Sequence, residues 1–150
     1  STRGREPRAG TRSGSGFAEA LTSRARRGQQ DVVGNRGAFL SSFTSDAGDA
    51  ATGRLLSPEF LLVGDCLRLL VGGGRDPLRL RVSLLVDGKP LFSETGTNFE
   101  TLGRREWDLR VVPGRTARIE IVDEATGAWG HVLVDEIVQR ACACSSRKQL

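Results

Sequence analysis

The sequence contains no methionine, one histidine and three cysteines in 150 residues. It also has no apolar run near the 18 or so residues that a membrane-spanning helix needs, so no such helix is expected. The N-terminus is charged but lacks an apolar core, so no signal peptide is visible. A chain that starts on Ser and has no Met is expected to be processed, or to be a piece of something longer. A C-x-C pair with one distant His has neither the spacing nor the ligand number of a zinc site. The sequence likewise lacks the G-x-x-x-x-G-K-[ST] phosphate loop and the G-x-S-x-G elbow that exposes a nucleophilic serine.

Excess charge of one sign is also absent from most of the chain. The formal net charge is +4, but residues 1–27 hold seven Arg against two Glu. The remaining 123 residues, with 15 basic and 16 acidic side chains, carry about −1 overall, so the folded part offers no surplus for a polyanion. The head "STRGREPRAGTRSGSG" has too few apolar residues to offset its ordering entropy and reads as disordered or a linker. Its functional alternative is an arginine-rich arm for RNA or heparin. "FAEALTSRARR" (17–27) has the length of a short helix, marginal without a docking surface.

From residue 37 onward, short β-rich runs are separated by Gly, Asp, Asn and Pro at the spacing of all-β sandwiches, and helical periodicity is absent. In "LRLRVSLLVDG", Leu78, Leu80, Val82, Leu84 and Val86 point one way and Arg79, Arg81, Ser83 and Asp87 the other. Asp87-Gly88 is a turn dipeptide, and Lys89 to Phe92 form the return strand. "SPEFLLVGDCLRLLVGGG" breaks at Gly64-Asp65 into runs apolar on both faces, as for strands covered on both sides. A turn at Pro113-Gly114 leads to a strand over 117–123, and "GHVLVDEIVQ" supplies the last one. The expectation is an all-β fold of about eight strands, an antiparallel β-sandwich of jelly-roll type. Its boundaries are 29–140, with an Arg-rich segment 1–28 before it and a tail 141–150 after it. Cys66 suits a buried position as a small hydrophobe, and a disulfide from it to Cys142 or Cys144 is left open.

The order of motifs carries a resemblance. "GAFLSSF" (37–43), "ATGRLLSPEF" (51–60), "LLVGGG" (69–74), "VSLLVDGK" (82–89), "TG" (95–96), "WDL" (107–109), "ARIEIVD" (117–123) and "WGHVLVDEI" (129–137) together resemble the β-sandwich module attached to levanases and related fructan hydrolases. The resemblance spans about residues 31–139. It implies a galactose-binding-like jelly roll and a non-catalytic carbohydrate-binding module, which in levanases holds the terminal fructose of a fructan. It further implies an extracellular multidomain host, no membrane partner and no enzymatic activity of the module itself. The nucleophile and acid motifs of the hydrolase's catalytic domain are absent, and the Arg-rich head and "RACACSS" tail fall outside the pattern.

Carbohydrate recognition uses planar hydrogen-bonding groups for hydroxyls and an aromatic surface for the C–H face of the sugar. Candidate ligand-binding residues are accordingly Arg75, Glu100, Asp123, Trp129, His131 and Asp135. If strands 117–123 and 131–138 pair as a hairpin, Asp123 and His131 meet at the mouth of its loop, and a hydrogen bond fixes the ring. Val132 and Val134 then face the core, with His131, Leu133 and Asp135 on the other face. Each candidate has a plain alternative: Trp129 as packing at the sandwich end, His131 as a pin for the hairpin, Asp135 as a tie for a neighbouring loop. For "GGGRDP" (72–77) the alternatives are a close approach to a ligand or another strand, or a mobile turn with a solvated Arg75. Trp107 is expected in the core. Asp46 and Asp49 are a thin calcium candidate, and no other cofactor is expected. Two further functions compete with sugar binding: a structural or protein-interaction sandwich, and a hydrolase using Asp123 and His131 with a serine such as Ser57.

Overall fold

The structure, a computed structural model, describes residues 11–13, 21–22, 39–42 and 48–142. Among these lie β1 (Thr11–Ser13), β2 (Leu21–Thr22), β3 (Phe39–Ser41), β4 (Gly53–Leu56), β5 (Phe60–Leu61) and β6 (Cys66–Gly73). β7 (Leu80–Val86), β8 (Lys89–Glu94), β9 (Phe99–Asp108), β10 (Thr116–Asp123) and β11 (Val132–Arg140) follow, with a 3₁₀ turn at Leu109–Val111. One sheet has the order β1-β4-β10-β7-β8, with β5 also on β10, and the other the order β2-β3-β11-β6-β9. All the strand pairs are antiparallel, and the fold is a β-sandwich.

The alternation read in the sequence sets the core. Leu67, Leu69 and Val71 of β6, Val82, Leu84 and Val86 of β7, Ile119 and Ile121 of β10, and Val132 and Val134 of β11 pack between the sheets. Trp107 joins them, stacks on Phe92 at 5.6 Å and donates its ring N–H to Glu94 at 3.2 Å. The predicted Asp87-Gly88 turn is present, both residues having positive φ (53° and 75°), which matches the right-handed twist of the flanking strands. The chain also turns at Gly64-Asp65, and at Pro113-Gly114 with Gly114 at φ 72°.

Several expectations are corrected. Leu78 does not extend the inward row of β7: it is 81% exposed in a turn closed by Asp76, whose carboxylate accepts the N–H groups of Leu78 and Arg79. Thr11–Ser13 and Leu21–Thr22 are edge strands on β4 and β3, within what was expected to be an unstructured head and, for 21–22, a short helix. The rest of the head lies outside the described residues. At the other end the sandwich extends past residue 140, because Cys142 is disulfide-bonded to Cys66 with Cα atoms 4.9 Å apart. Cys66 is therefore buried as half of a cross-link. Cys144 lies outside the described residues.

The expected hairpin between 117–123 and 131–138 does not form. β10 belongs to one sheet and β11 to the other, so residues 124–131 carry the chain across the sandwich. The apolar character of both strands fits this, since each packs a face into the shared core.

Strand directions follow from the registers. Gly73 pairs with both Val132 and Phe99, and Asp123 pairs with both Leu80 and Gly53. The connections 74–79, 95–98 and 124–131, together with residues 48–51 leading into β4, therefore share one end of the sandwich.

Candidate functional site

At that end β6 finishes in glycines because its neighbours leave no room for side chains. A Cβ on Gly74 would meet the carbonyl oxygen of Trp129 and the side chain of Leu80. The close approach is thus to other strands and loops of the same chain. The turn that follows is pinned as well: Asn98 accepts the Arg75 N–H at 2.7 Å, and Thr95 accepts the Asp76 N–H at 3.0 Å while donating to the Gly74 carbonyl at 3.2 Å. This fixed frame replaces the mobile turn considered from the sequence, and it leaves the Arg75 side chain exposed.

His131 occupies the middle of the end, only 2% exposed. Its Nδ1 lies 2.5 Å from Asp49 Oδ1 and its Nε2 is 2.8 Å from Glu100 Oε1. With a carboxylate at each nitrogen, the ring is suited to be a doubly protonated imidazolium. Burial opposes that charge, but Glu100 and Asp49 outweigh it and raise the pKa above the ordinary histidine value. The second oxygen of Asp49 accepts the Trp129 N–H at 3.2 Å, so one carboxylate holds both residues.

Trp129 has φ 60°, in the left-handed region that a bulky side chain rarely adopts. Its ring stacks on His131 with centroids 5.7 Å apart and planes inclined by 24°. The loop is further tightened by the Gly130 N–H on the Gly127 carbonyl at 2.9 Å. Trp129 thus rests on a buried ring that is itself clamped between two acids, and it remains half-buried at the surface.

Asp123 is fully buried beneath the same loop. Burial pushes its pKa up to about 7, against the lowering effect of hydrogen bonds from Ser42 and the Ala125 N–H and of the nearby His131 charge. Ala125 donates to Oδ1 at 3.1 Å, while Oδ2 is buried without a hydrogen-bond partner. The ring of His131 is therefore oriented by Asp49 and Glu100, and not by the hydrogen bond to Asp123 that hairpin pairing would have brought.

Of the residues singled out in the sequence, Glu100, Asp123, Trp129 and His131 are gathered at this end, and Arg75 stands on the adjoining turn. Asp135 does not join them. It pairs with Leu70 further along β11, about 13 Å from His131 at extended spacing, and accepts the N–H of Glu136 at 2.8 Å. Asp49 belongs to the site as a clamp, a role its loop position did not announce. Asn98 and the neighbouring Phe99, which is 64% exposed, also went unnoticed in the sequence.

Asp46 of the calcium candidate lies outside the described residues, and both oxygens of Asp49 are engaged by 129–131. Among the described residues one group of metal-ligating types is close enough to share an ion: Cys66, Asp108 and Cys142. Its two thiols are consumed by the disulfide. Ser57 is hydrogen-bonded to the Pro58 carbonyl and the Ile119 N–H. Ile119 is four residues along β10 from Asp123, about 13 Å away, so Ser57 forms no triad with Asp123 and His131.

No family model matches the chain. Over 110 residues, 73% of its length, it is 40% identical to part of the protein named "Putative glycosyl hydrolase ecdE" from Aspergillus rugulosus. The match covers 16% of that protein. Among solved structures, the chain is similar to the C-terminal extracellular domain of Mycobacterium tuberculosis EmbC, at 15% identity and a TM-score of 0.49 over 80% of this chain and 55% of that one. It is also similar to the module TmCBM61 in complex with β-1,4-galactotriose, at 15% identity and a TM-score of 0.47 over 88% of each chain. A third similar structure is CBM51 from Clostridium perfringens GH95 with methyl-galactose, at 11% identity and a TM-score of 0.45 over 88% of this chain and 92% of that one. No helix among the described residues is long and apolar enough to cross a membrane.

Proposed function

We propose that this sandwich is a non-catalytic carbohydrate-binding module, an accessory part of a larger extracellular protein, and that its ligand rim is the end bearing Trp129 and Arg75. The observation that carries the reading is Trp129 held in a left-handed backbone conformation on the clamped His131 ring. A strained conformation of this kind persists only where the surroundings impose it, and such positions concentrate at ligand clamps. A fixed indole offers the flat apolar surface that a sugar's C–H face requires at low entropic cost. The exposed Arg75, on the adjoining turn, supplies guanidinium donors for hydroxyl groups.

The buried residues have a supporting role in this reading. His131 and Asp123 are closed off from solvent, and His131 faces a carboxylate at each nitrogen, so it positions Trp129 and does not serve as a base for a dissolved substrate. The similarity to a small share of a protein named as a glycosyl hydrolase fits an accessory segment of such a chain. The Cys66–Cys142 disulfide fits an oxidising, extracellular compartment. Terminal fructose of a fructan is the ligand proposed from the levanase resemblance. Among the described residues the exposed large apolar side chains are scattered, with Leu78 and Phe99 at one end, Leu61, Val63 and Val111 at the other, and Leu91 and Val138 on β8 and β11. That distribution gives less support to a single protein-docking face.

The test is calorimetric titration with fructo-oligosaccharides and galactosides, for the unaltered chain and Trp129→Ala. The reading expects millimolar or tighter binding that falls at least about tenfold in the variant, with the fold retained. Hydrolysis of a chromogenic glycoside that disappears in Asp123→Asn would instead establish the hydrolase alternative.

A further inference from the structure

A second polar concavity lies on the face of the β6-β9-β11 sheet that is turned away from the core. Arg68, Leu70, Arg104, Glu136, Val138 and Arg140 line a pocket of about 290 Å³ there. The lining follows from alternation. Arg68 and Leu70 are the residues of β6 that do not face the core, and Arg104 pairs with Leu70 from β9. On β11 the register slips between Asp135 and Val138, and Glu136 adopts φ 49°. This bulge sets Val138 opposite Arg68 and carries Arg140 to the same face.

The pocket is rich in guanidinium and short of carboxylate. Arg68 is 3.5 Å from Glu106, yet its Nε is buried with no hydrogen-bond partner. Arg104 and Arg140 are exposed at the rim and enter no salt bridge among the described residues. The lining itself holds three guanidinium groups and one carboxylate, Glu136, while Glu106 and Asp135 stand beside it on the same sheet face. Like charges on one concave face repel, and an anion placed among them relieves that repulsion. The fork of N–H groups on Arg matches the planar or tetrahedral oxyanions of carboxylate and sulfate.

We infer that this pocket is a second binding site, for the oxyanion of an acidic saccharide, either a uronate carboxylate or a sulfate ester. The inference rests on the carbohydrate-binding reading for the sugar, and on the three arginines for the charge. The site is distinct from the Trp129 rim, since Arg68 is five residues from Gly73 along β6, about 16 Å.

Calorimetry with a methyl uronoside, its neutral parent glycoside and the 6-sulfated glycoside tests it, using the unaltered chain, Arg104→Gln/Arg140→Gln and Trp129→Ala. The expected result is that at least one acidic glycoside binds about tenfold more tightly than the neutral parent. The sulfated and carboxylated arms tell the two sources apart. The preference should vanish in the double Gln variant and in about 0.5 M salt, and survive in Trp129→Ala. Equal affinity for acidic and neutral glycosides, or a preference that persists in the double Gln variant, overturns the inference. Binding of inorganic sulfate without either acidic glycoside overturns the ligand class. If the neutral glycoside binds equally well to Trp129→Ala, the Trp129 rim is wrong while this site stands.

Discussion

His131 and Asp123 lie under the same loop, and both bind a proton more strongly in the folded chain than free in water. The folded-state pKa of Asp123 is raised from 3.8 to about 7, so its contribution to stability is present at low pH and lost as pH rises through about 7. The raised pKa of His131 acts in the same sense: its contribution is complete below the ordinary value of 6.5 and is lost above it. Stability should therefore fall between pH 5 and pH 8. Asp123→Asn removes the part of that fall owed to Asp123 and leaves the protein more stable than the unaltered chain at pH 8, by on the order of 2–4 kcal/mol. Urea unfolding at the two pH values measures this, and parallel pH profiles for the two proteins would contradict it. His131→Ala leaves Asp49 and Glu100 facing each other without a cation and should cost about 3 kcal/mol or more, measured in the same way. At this scale the sequence singled out Glu100, Asp123, Trp129 and His131 as ligand contacts, and the structure gathers them at one end with Glu100, Asp123 and His131 buried. Asp49 stayed hidden as their partner, since it is 82 residues from His131 and only the folded chain brings the two together.

Among the elements, those whose signals are local were the readable ones. The Asp87-Gly88 hairpin is fixed by two adjacent residues, and alternation in β7 and β11 fixes which side chains face the core between the sheets. The pairing of β10 with β11 was misread because sequence neighbours with matching alternation serve equally well as a hairpin or as strands of facing sheets. Which of these forms is decided by partners elsewhere, β7 for β10 and β6 for β11. Asp135 was a candidate for a shared binding face with His131 despite its distance of about 13 Å along the strand, and the structure sets it opposite Leu70, away from the loops that gather at the end. The glycine run 72–74 separates a packing role from a flexible one. Gly74→Ala would drive a Cβ against the Trp129 carbonyl and should cost about 2 kcal/mol or more in thermal or urea unfolding, with a matching loss of sugar affinity. Gly127→Ala, where nothing lies within 4 Å of the added carbon, should stay within about 0.5 kcal/mol of the unaltered chain. Equal effects from the two substitutions would show that the end of β6 is not a packed support for the loop.

At the level of the whole molecule, the sandwich is closed by a covalent link between the start of β6 and the residues after β11. Cys66 and Cys142 are 76 residues apart in sequence, and closing a loop of that length restricts the unfolded chain by about 4 kcal/mol. Reduction, or Cys142→Ser, should lower stability by a comparable amount, and an unchanged urea midpoint under reducing conditions would contradict the pairing. The all-β class was legible from the regular turn punctuation. The edge strands at Thr11–Ser13 and Leu21–Thr22 were not, because their Arg- and Ser-rich surroundings resemble a solvated tail and their pairing depends on β4 and β3. All of these features converge on one support, a buried ionic clamp that presents a tryptophan at the end of two packed sheets. Titration of a fructo-oligosaccharide and a galactoside into the intact protein and into Trp129→Ala tests that claim most directly. The account predicts saturable binding of at least one sugar to the intact protein, weakened at least about tenfold by the substitution. Absence of binding at millimolar sugar, or identical affinity in the two proteins, would contradict it.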